Sequence, residues 1–178
     1  LRASPNLKAP PHLNTLISAL EHSIGKEKRI CVSMPPRHGK TTTISHAFPY
    51  LLARDPTRTH AYVTYSGELT KSKSRQIRRL ATEQGVELDK GSKSLNEWRT
   101  TAGGGLLATS IGGSLTGQGV TGLLVVDDPF KDRAEAESKT QRNKVWEWFT
   151  DVDYTRLEPG ASVVVVQTRW HEEDLIGH

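Results

Sequence analysis

The segment from Ile30 to Thr43 runs from apolar residues into a loop that ends in glycine, lysine and threonine. Gly39 has no side chain, so backbone N–H groups can come close to a phosphate, and Lys40 can reach the β- and γ-phosphate oxygens of a nucleotide. The Thr41 hydroxyl is a ligand for Mg²⁺, and a helix that begins here points its positive end at the same phosphates. The chemistry predicted for this segment is binding and hydrolysis of a nucleoside triphosphate with Mg²⁺.

The loop departs from the common phosphate-binding pattern, in which another glycine stands five residues before the glycine of the Gly-Lys pair. Met34 occupies that position, and Pro35 and Pro36 stiffen the loop. A Gly-Lys-Thr tripeptide also fits an ordinary turn between a strand and a helix, with the lysine in solvent. We predict that the phosphates contact seven consecutive residues: Pro36, Arg37, His38, Gly39, Lys40, Thr41 and Thr42.

A second apolar segment, from Gly122 to Pro129, ends in two adjacent aspartates. Its uninterrupted apolar run predicts a strand that is buried on both faces. An aspartate at the carboxyl end of such a strand can hold Mg²⁺, and a neighbouring acid can orient the attacking water. We assign Asp127 to the metal and Asp128 to the water. The alternative is that Asp-Asp-Pro only opens a turn.

A third apolar strand, from Ser162 to Val166, is followed by Gln167, Thr168 and Arg169. In a parallel sheet, residues at the carboxyl ends of the strands lie where ligands bind. Thr168 is therefore a candidate sensor of the γ-phosphate. The alternative is that Gln167 and Thr168 cap a helix that begins near His171.

Hydrophobic periodicity predicts strands and helices that alternate along the chain. The predicted helices are 11–24, 40–53, 68–81 and 134–149, and the other predicted strands are 29–33, 60–66, 97–99 and 106–110. This alternation is typical of a parallel sheet covered on both faces. We predict an α/β fold, a P-loop NTPase with a mostly parallel central sheet flanked by helices, as one domain over residues 1–178. A strand between the phosphate loop and the acidic strand indicates the additional-strand, catalytic-acid subclass.

The chain carries a net charge of +4, and its cations cluster between Lys71 and Arg79. Helical spacing places Lys71, Arg75 and Arg78 or Arg79 on one side of a helix. Such a face can follow the phosphates of a nucleic acid, although a charged helix face is often only solvated.

The remaining features of the composition bear on the core and on the surroundings of the protein. The single cysteine, Cys31, lies in the first strand and is predicted to be a core residue, which fits a reducing compartment. The glycine-rich segment 103–122 is either a mobile loop near the nucleotide or a set of tight turns between short strands. The sequence contains no apolar run long enough to span a bilayer, so no membrane partner is expected.

Five sequence blocks resemble the ATPase domain of the large terminase subunit of tailed bacteriophages. They are PPRHGKT (35–41), WRTTAGGG (98–105), IGGSLTGQG (111–119), LLVVDDPFKDRAEA (123–136) and YTRLEPGASVVVVQTRWHEEDL (154–175). The resemblance implies that Arg37 is a cation for γ-phosphate charge, that Thr168 couples phosphate loss to movement, and that His12 lies near the adenine. It also implies a finger arginine from a neighbouring subunit, for which Arg99, Arg133 and Arg142 are candidates.

The resemblance further implies a function and a set of partners. The function is ATP hydrolysis that powers translocation of double-stranded DNA into a procapsid, in the host cell cytoplasm, with the motor transiently docked on the procapsid. The partners are double-stranded DNA, the portal protein, the small terminase subunit and further copies in a ring, while the fragment alone can be monomeric. The family's C-terminal nuclease domain is expected in the full-length protein but not in these residues, so DNA cleavage is not expected here.

Two alternatives remain at the level of the sequence. One is a superfamily 2 helicase-like DNA translocase, which shares the acidic strand but carries further motifs in a second domain. The other is a nucleotide-gated DNA-binding or assembly module with little hydrolysis. Intact Lys40, Thr41, Asp127 and Asp128 argue against this module. The missing first glycine, and an aspartate at position 128 where many terminases have glutamate, leave it open.

Overall fold

The computed structural model describes residues 10–23, 25–115 and 119–178, except for the side chains of residues 153 and 154. After a 3₁₀ turn at Pro11–Leu13, the helices are α1 (Asn14–Glu21), α2 (Lys40–Arg54), α3 (Gly67–Glu83), α4 (Arg133–Glu137) and α5 (Lys139–Arg156). The strands are β1 (Arg29–Ser33), β2 (Thr59–Thr64), β3 (Glu97–Arg99), β4 (Gly105–Ser110), β5 (Leu123–Asp127) and β6 (Ser162–Gln167).

The six strands form one sheet in the order β1-β6-β5-β2-β4-β3. All neighbouring pairs are parallel except β3 with β4, which is antiparallel. The predicted α/β fold, with a mostly parallel sheet flanked by helices, is confirmed. β6 lies between β1 and β5, and its pairing aligns Ser33 with Gln167 and Asp127 with Val166. The carboxyl ends of these three strands therefore meet at one edge of the sheet.

The sheet separates two apolar cores, because side chains alternate between its faces along each strand. One core packs α1, α2 and α3 against residues that include Tyr62, Val125 and Val164. The other packs α5 and the chain after β6 against residues that include Val63, Val126 and Val165. Burial on both faces explains why β5 and β6 read as continuous apolar runs.

Two helices begin at polar caps that the sequence supplies. The Ser66 hydroxyl accepts from the Leu69 N–H at the start of α3. At the start of α4, the Asp132 carboxylate accepts from the Glu135 N–H at 3.0 Å, and the Glu135 carboxylate accepts from the Lys131 N–H at 2.9 Å. Such reciprocal bonds satisfy N–H groups that have no acceptor within the helix.

Three local predictions were wrong. Cys31 is exposed, because β1 is an edge strand whose alternate side chains face outward. The helix predicted over 134–149 is two helices, since the backbone of Ser138 is extended. No helix begins near His171: buried Asp174 instead accepts from the Trp170 N–H and pairs with Arg169 at 2.9 Å, which holds the segment in turns.

Other element bounds differ by only a few residues from those predicted. The described part of the glycine-rich segment contains β4, with turns and irregular chain on either side of this strand. Residues 116–118 lie outside the described residues. Gly104 sits tightly in one of these turns, where a side chain would meet the carbonyl oxygens of Pro56 and Arg58. No helix in the described part of the chain is long and apolar enough to cross a membrane.

Candidate nucleotide site

The candidate site lies at the carboxyl edge of β1, β6 and β5. The loop from Met34 to Gly39 follows β1, Thr168 follows β6, and Asp127 and Asp128 end β5. All the side chains that the sequence predicts for catalysis and for metal binding are therefore at three neighbouring strand ends, in the loop that follows β1, or at the start of α2. This is the edge of a parallel sheet where ligands bind.

The loop between β1 and α2 has a backbone suited to an anion. Arg37 has φ 63° and Gly39 has φ 84°, so two residues of the loop are left-handed. Alternation of this kind turns consecutive N–H groups toward one side and forms an anion-binding concavity. α2 begins at Gly39 without a side-chain cap, so the N–H groups of its first turn are open to a ligand.

Gly39 is required at its position for two reasons. Its positive φ favours glycine, and an added Cβ would lie 3.1 Å from Cδ1 of Leu13. Leu13 belongs to the 3₁₀ turn that precedes α1, so this turn packs against the loop at Gly39.

His12 lies in that same turn and contacts the loop between β1 and α2. Its Nε2 is 3.0 Å from the His38 carbonyl oxygen, and the two rings meet edge to face with centroids 5.8 Å apart. His38 Nδ1 is in turn 2.8 Å from the Pro36 carbonyl oxygen. The structure thus brings His12 to the predicted nucleotide-binding loop from 26 residues away in sequence.

A cleft of about 490 Å³ opens beside the loop. Its lining is mainly apolar, with His12 and His38 at the loop end and Leu16, Ile30, Val32 and Met34 along the walls. Small-molecule pockets in proteins have volumes of this order and similar linings. The cleft is therefore large enough for a nucleobase.

Lys40 is 5% exposed and lies at the centre of the site. Its Nζ donates to Asp128 Oδ1 at 2.8 Å and to Thr168 Oγ1 at 2.7 Å. A buried ammonium group is stable only when it is paired and hydrogen-bonded, and these two oxygens provide that environment. Lys40 thereby connects the phosphate loop to both other strands of the site.

Asp127 is 2% exposed, and the Tyr62 hydroxyl on β2 donates to its Oδ2 at 2.8 Å. Burial raises the pKa of Asp127 to about 6; the nearby Asp128 charge adds to this, while Tyr62, Thr41 and Lys40 act in the opposite direction. Burial also raises the pKa of Tyr62, which keeps the phenol protonated and able to donate. Sequence reasoning missed Tyr62, although a tyrosine in a buried strand requires a partner for its hydroxyl.

Asp127 Oδ1 is buried and has no hydrogen-bond partner among the described residues. The Thr41 hydroxyl is close enough to the Asp127 carboxylate to lower its pKa, and carboxylate and hydroxyl oxygens are ligands that Mg²⁺ prefers, so these two residues fit a metal that accompanies a nucleotide. The described residues contain no cluster of three or more His, Cys, Asp or Glu suited to a metal. This agrees with Mg²⁺ at phosphate sites, where one or two protein groups suffice and phosphates and water supply the rest.

Asp128 has φ 48°, a left-handed backbone conformation that is uncommon for a residue other than glycine. This conformation turns its carboxylate toward Lys40, and the Thr168 N–H donates to the same Oδ1 at 3.1 Å. The Thr168 hydroxyl also lies 3.3 Å from the Met34 carbonyl oxygen of the phosphate loop. Strained backbone of this kind is typical of functional positions.

The predicted arginines lie in different surroundings. Arg37 is exposed in the phosphate loop. Arg99 pairs with Glu97 on the far edge strand, and Arg133 pairs with Glu137 on the surface of α4. Arg142 is 6% exposed and donates to the carbonyl oxygens of Ala136 and Glu137 and to the Glu173 carboxylate. The buried guanidinium of Arg142 is thus engaged in contacts within its own chain.

Comparisons with known proteins agree with this geometry. The family model described as "Terminase large subunit, T4likevirus-type, N-terminal" matches residues 31–175. The fold is similar to that in the crystal structure of the HK97 bacteriophage large terminase, with a TM-score of 0.60 and 17% sequence identity. That similarity covers 96% of this chain and 35% of the HK97 chain, so this chain spans about a third of that protein's length. No curated protein matches the sequence.

Proposed function

This chain belongs to the family of the N-terminal part of T4likevirus-type terminase large subunits, and we propose that it hydrolyses ATP to drive double-stranded viral DNA into a procapsid. The observation that carries the proposal is the contact network of Lys40, Asp128 and Thr168 at the open N-terminus of α2. Three strand ends supply a phosphate-binding cation, an acid and a hydroxyl within hydrogen-bond distance of one another. The proposal places the chain in the additional-strand, catalytic-acid subclass of P-loop NTPases.

The phosphates would bind along Pro36 to Thr42, with Arg37 exposed beside them to neutralise γ-phosphate charge. The adenine would occupy the cleft next to His12, whose ring already contacts the loop. Phosphate oxygens compete for the Lys40 ammonium, so nucleotide binding would draw Lys40 away from Asp128 and Thr168. Asp128 would then be free to act on water.

Hydrolysis requires a water oxygen to bond to the γ-phosphorus while the bond from that phosphorus to the β–γ bridging oxygen breaks. Asp128 would orient this water and accept its proton, and Lys40 would stabilise charge on the phosphate oxygens. Mg²⁺, held through Thr41 and Asp127, would neutralise the phosphates when bound. Thr168 touches Asp128, Lys40 and the phosphate loop, so its contacts would change when the γ-phosphate leaves.

In the working motor, the proposed partners are double-stranded DNA, the portal protein, the small terminase subunit and neighbouring copies in a ring. The motor would act in the host cell cytoplasm while docked on the procapsid. A finger arginine from a neighbouring copy would add charge stabilisation in the transition state. Arg133 remains a candidate because its side chain is 71% exposed.

The test is Mg²⁺-dependent phosphate release from ATP at high protein concentration, with and without duplex DNA. Asp128→Asn should retain binding of a fluorescent ATP analogue but lower turnover by orders of magnitude. Asparagine has nearly the same shape as aspartate, but its amide cannot accept the proton of the attacking water. Lys40→Ala should lose productive nucleotide binding. Equal turnover by Asp128→Asn and the unchanged chain would remove Asp128 as the catalytic acid.

The same experiment distinguishes the two alternatives. Stimulation of turnover by duplex DNA favours a DNA motor of either kind, and the match to the terminase family model then favours packaging over a helicase-like translocase. Tight ATP binding without turnover at any protein concentration would instead favour a nucleotide-gated binding or assembly module.

A further inference from the structure

α2 and α3 pack side by side on one face of the sheet, and most of the charged side chains that they carry are positive. α2 contains no aspartate or glutamate from Lys40 to Arg54. α3 has acids only at its two ends, Glu68 and Glu83, and none across the fourteen residues between them. Solvated helices commonly mix charges of both signs at a spacing of three or four residues. The absence of acids here is therefore informative.

Three cations form a row on the exposed side of α3. Lys71, Arg75 and Arg79 are all exposed and lie four residues apart, so they follow one another along a single helix face. Ile77 and Leu80 are buried on the opposite face against the sheet. At a rise of 1.5 Å per residue, the row spans about 12 Å.

The contacts of these side chains leave most of the row available. Lys71 and Arg75 have no ion-pair or hydrogen-bond partner among the described residues. Arg79 pairs with Glu83 at 3.0 Å, but both side chains are more than half exposed, and such pairs exchange easily with a stronger anion. His46 on α2 has a lowered pKa, first because of burial and next because of the positive charge of Arg79. The effect of Arg79 on His46 shows that α2 lies beside this row.

Exposed hydroxyl groups and a further cation extend the surface. Ser72 and Thr82 are exposed and flank the row on α3. Arg54 is exposed at the end of α2, where it lies over the Tyr50 ring. Hydroxyl groups and cations without acids are the groups that proteins place against phosphate oxygens.

We propose that the α2–α3 surface, defined by Lys71, Arg75, Arg79 and Arg54, contacts the phosphate backbone of duplex DNA. This inference rests on the proposed function, and it identifies the surface that touches the DNA. Duplex DNA carries about one charge per 1.7 Å of axis, so a row of about 12 Å faces several phosphates from one or both strands. The contacts involve no base edges, so the surface binds DNA without regard to sequence. Such binding suits a motor that must move along any sequence.

The position of α3 connects this surface to the nucleotide site. α3 begins directly after the carboxyl end of β2, and β2 carries Tyr62, which holds Asp127. The Thr70 hydroxyl on α3 lies 2.8 Å from the Thr64 hydroxyl at the end of β2. Lys71 follows Thr70 directly, so the first cation of the row is one turn from the edge that holds the site.

The test is fluorescence anisotropy of a labelled 30-base-pair duplex, titrated with this chain between about 50 and 200 mM salt. The variant Lys71→Ala/Arg75→Ala/Arg79→Ala removes the row. The control Lys26→Ala/Lys139→Ala/Lys144→Ala removes three exposed lysines from other surfaces, two of them on α5 across the sheet. Both variants change the net charge equally. Basal ATPase activity and circular dichroism of each variant show whether the site and the fold are intact.

The row variant should make the negative slope of log K against log salt shallower by about 2 to 3, because each lost phosphate contact reduces its magnitude by about 0.9. The control should change this slope by less than about 1. Equal changes in the two variants would overturn the proposal, since net charge alone would then explain the binding. Unchanged binding by the row variant would overturn it as well, and a shift in its sedimentation would then assign the face to contacts between copies.

Failure of this surface and failure of the proposed function give different results. If the unchanged chain binds duplex DNA and the row variant binds equally well, only the α2–α3 surface is refuted. If the unchanged chain binds no duplex DNA at low salt, the DNA-related part of the proposed function is refuted together with this surface. ATP turnover by the unchanged chain is measured separately and tests the nucleotide site alone.

Discussion

Acid should destabilise this protein through His60, a buried residue near the amino end of β2. His60 is 1% exposed at the start of β2, its Nδ1 accepts from the Leu123 N–H at 3.1 Å, and its ring packs edge to face on Phe48. Burial lowers the pKa of His60 from 6.5 to about 4, the Arg58 charge adds to this, and Asp55 opposes it. The folded protein therefore holds His60 neutral at pH values where the unfolded chain protonates it.

The sign and size of the effect follow from these pKa values. Between pH 6.5 and about 4, the unfolded state binds more protons at His60 than the folded state, so the contribution of His60 to stability falls as pH falls. Integration from pH 7.5 to pH 5 gives a loss of about 2 kcal/mol, and the loss approaches about 3 kcal/mol at pH 4. Asp127 changes stability in the opposite direction, because its raised pKa favours the folded state at low pH.

A comparison with His60→Asn isolates the histidine, since Asp127 is common to both chains. Asparagine keeps a hydrogen-bond acceptor for the Leu123 N–H but does not titrate. The free energy of unfolding, measured by urea denaturation at pH 7.5 and pH 5, should fall by about 2 kcal/mol more in the unchanged chain than in the variant. His22→Asn, at an exposed histidine, is the control for loss of a histidine. Equal pH dependence of the unchanged chain and His60→Asn would refute the reasoning.

Three further substitutions test the site and its support. Tyr62→Phe should weaken the binding of Mn²⁺ or Mg²⁺ in the presence of nucleotide about tenfold or more, because Asp127 loses the donor that orients it. If calorimetry shows unchanged metal affinity, the role of Tyr62 is packing and not support of the metal site. Gly39→Ala should reduce affinity for a fluorescent ATP analogue, since φ 84° disfavours a side chain and Leu13 is close, and affinity equal to that of the unchanged chain would contradict the loop geometry. Arg142→Met should lower the free energy of unfolding by about 2 to 4 kcal/mol because it leaves buried carbonyl oxygens unpaired. A stable Arg142→Met chain that has lost only ATP turnover would restore Arg142 as a finger candidate.

The sequence predicted which side chains come together at the strand ends better than it predicted what surrounds them. Lys40, Asp127, Asp128 and Thr168 could be assigned because their chemistry depends on strand ends, and buried parallel strands produce long apolar runs. Cys31 was misplaced because strand order decides which strand is at an edge, and no local pattern records that order. Tyr62 was missed for a related reason, since its bond to Asp127 depends on β2 pairing with β5.

The chain after β6 shows a second limit of sequence reasoning. The acidic residues from Glu172 to Asp174 read as the first turn of a helix, because carboxylates are favoured there. In the structure, Asp174 is buried and accepts from the Trp170 N–H, so a tertiary contact replaces the helix. Local charge preferences are weak compared with the cost of leaving a buried carboxylate unpaired, and the partly exposed Arg169 guanidinium pairs with the buried Asp174 carboxylate.

The strand order explains why Thr168 is the residue that connects the two halves of the site. β6 lies between β1, which leads to Lys40, and β5, which leads to Asp128, so the end of β6 is the only one of the three that borders both others. Thr168 accordingly contacts Lys40 and the Met34 carbonyl oxygen on one side and Asp128 on the other. A phosphate that draws Lys40 away removes the cation from both Asp128 and Thr168 at once. Under the proposed function, one event would thus remove Lys40 from both the acid and the threonine, while the bond from the Thr168 N–H to Asp128 would still connect β6 to β5.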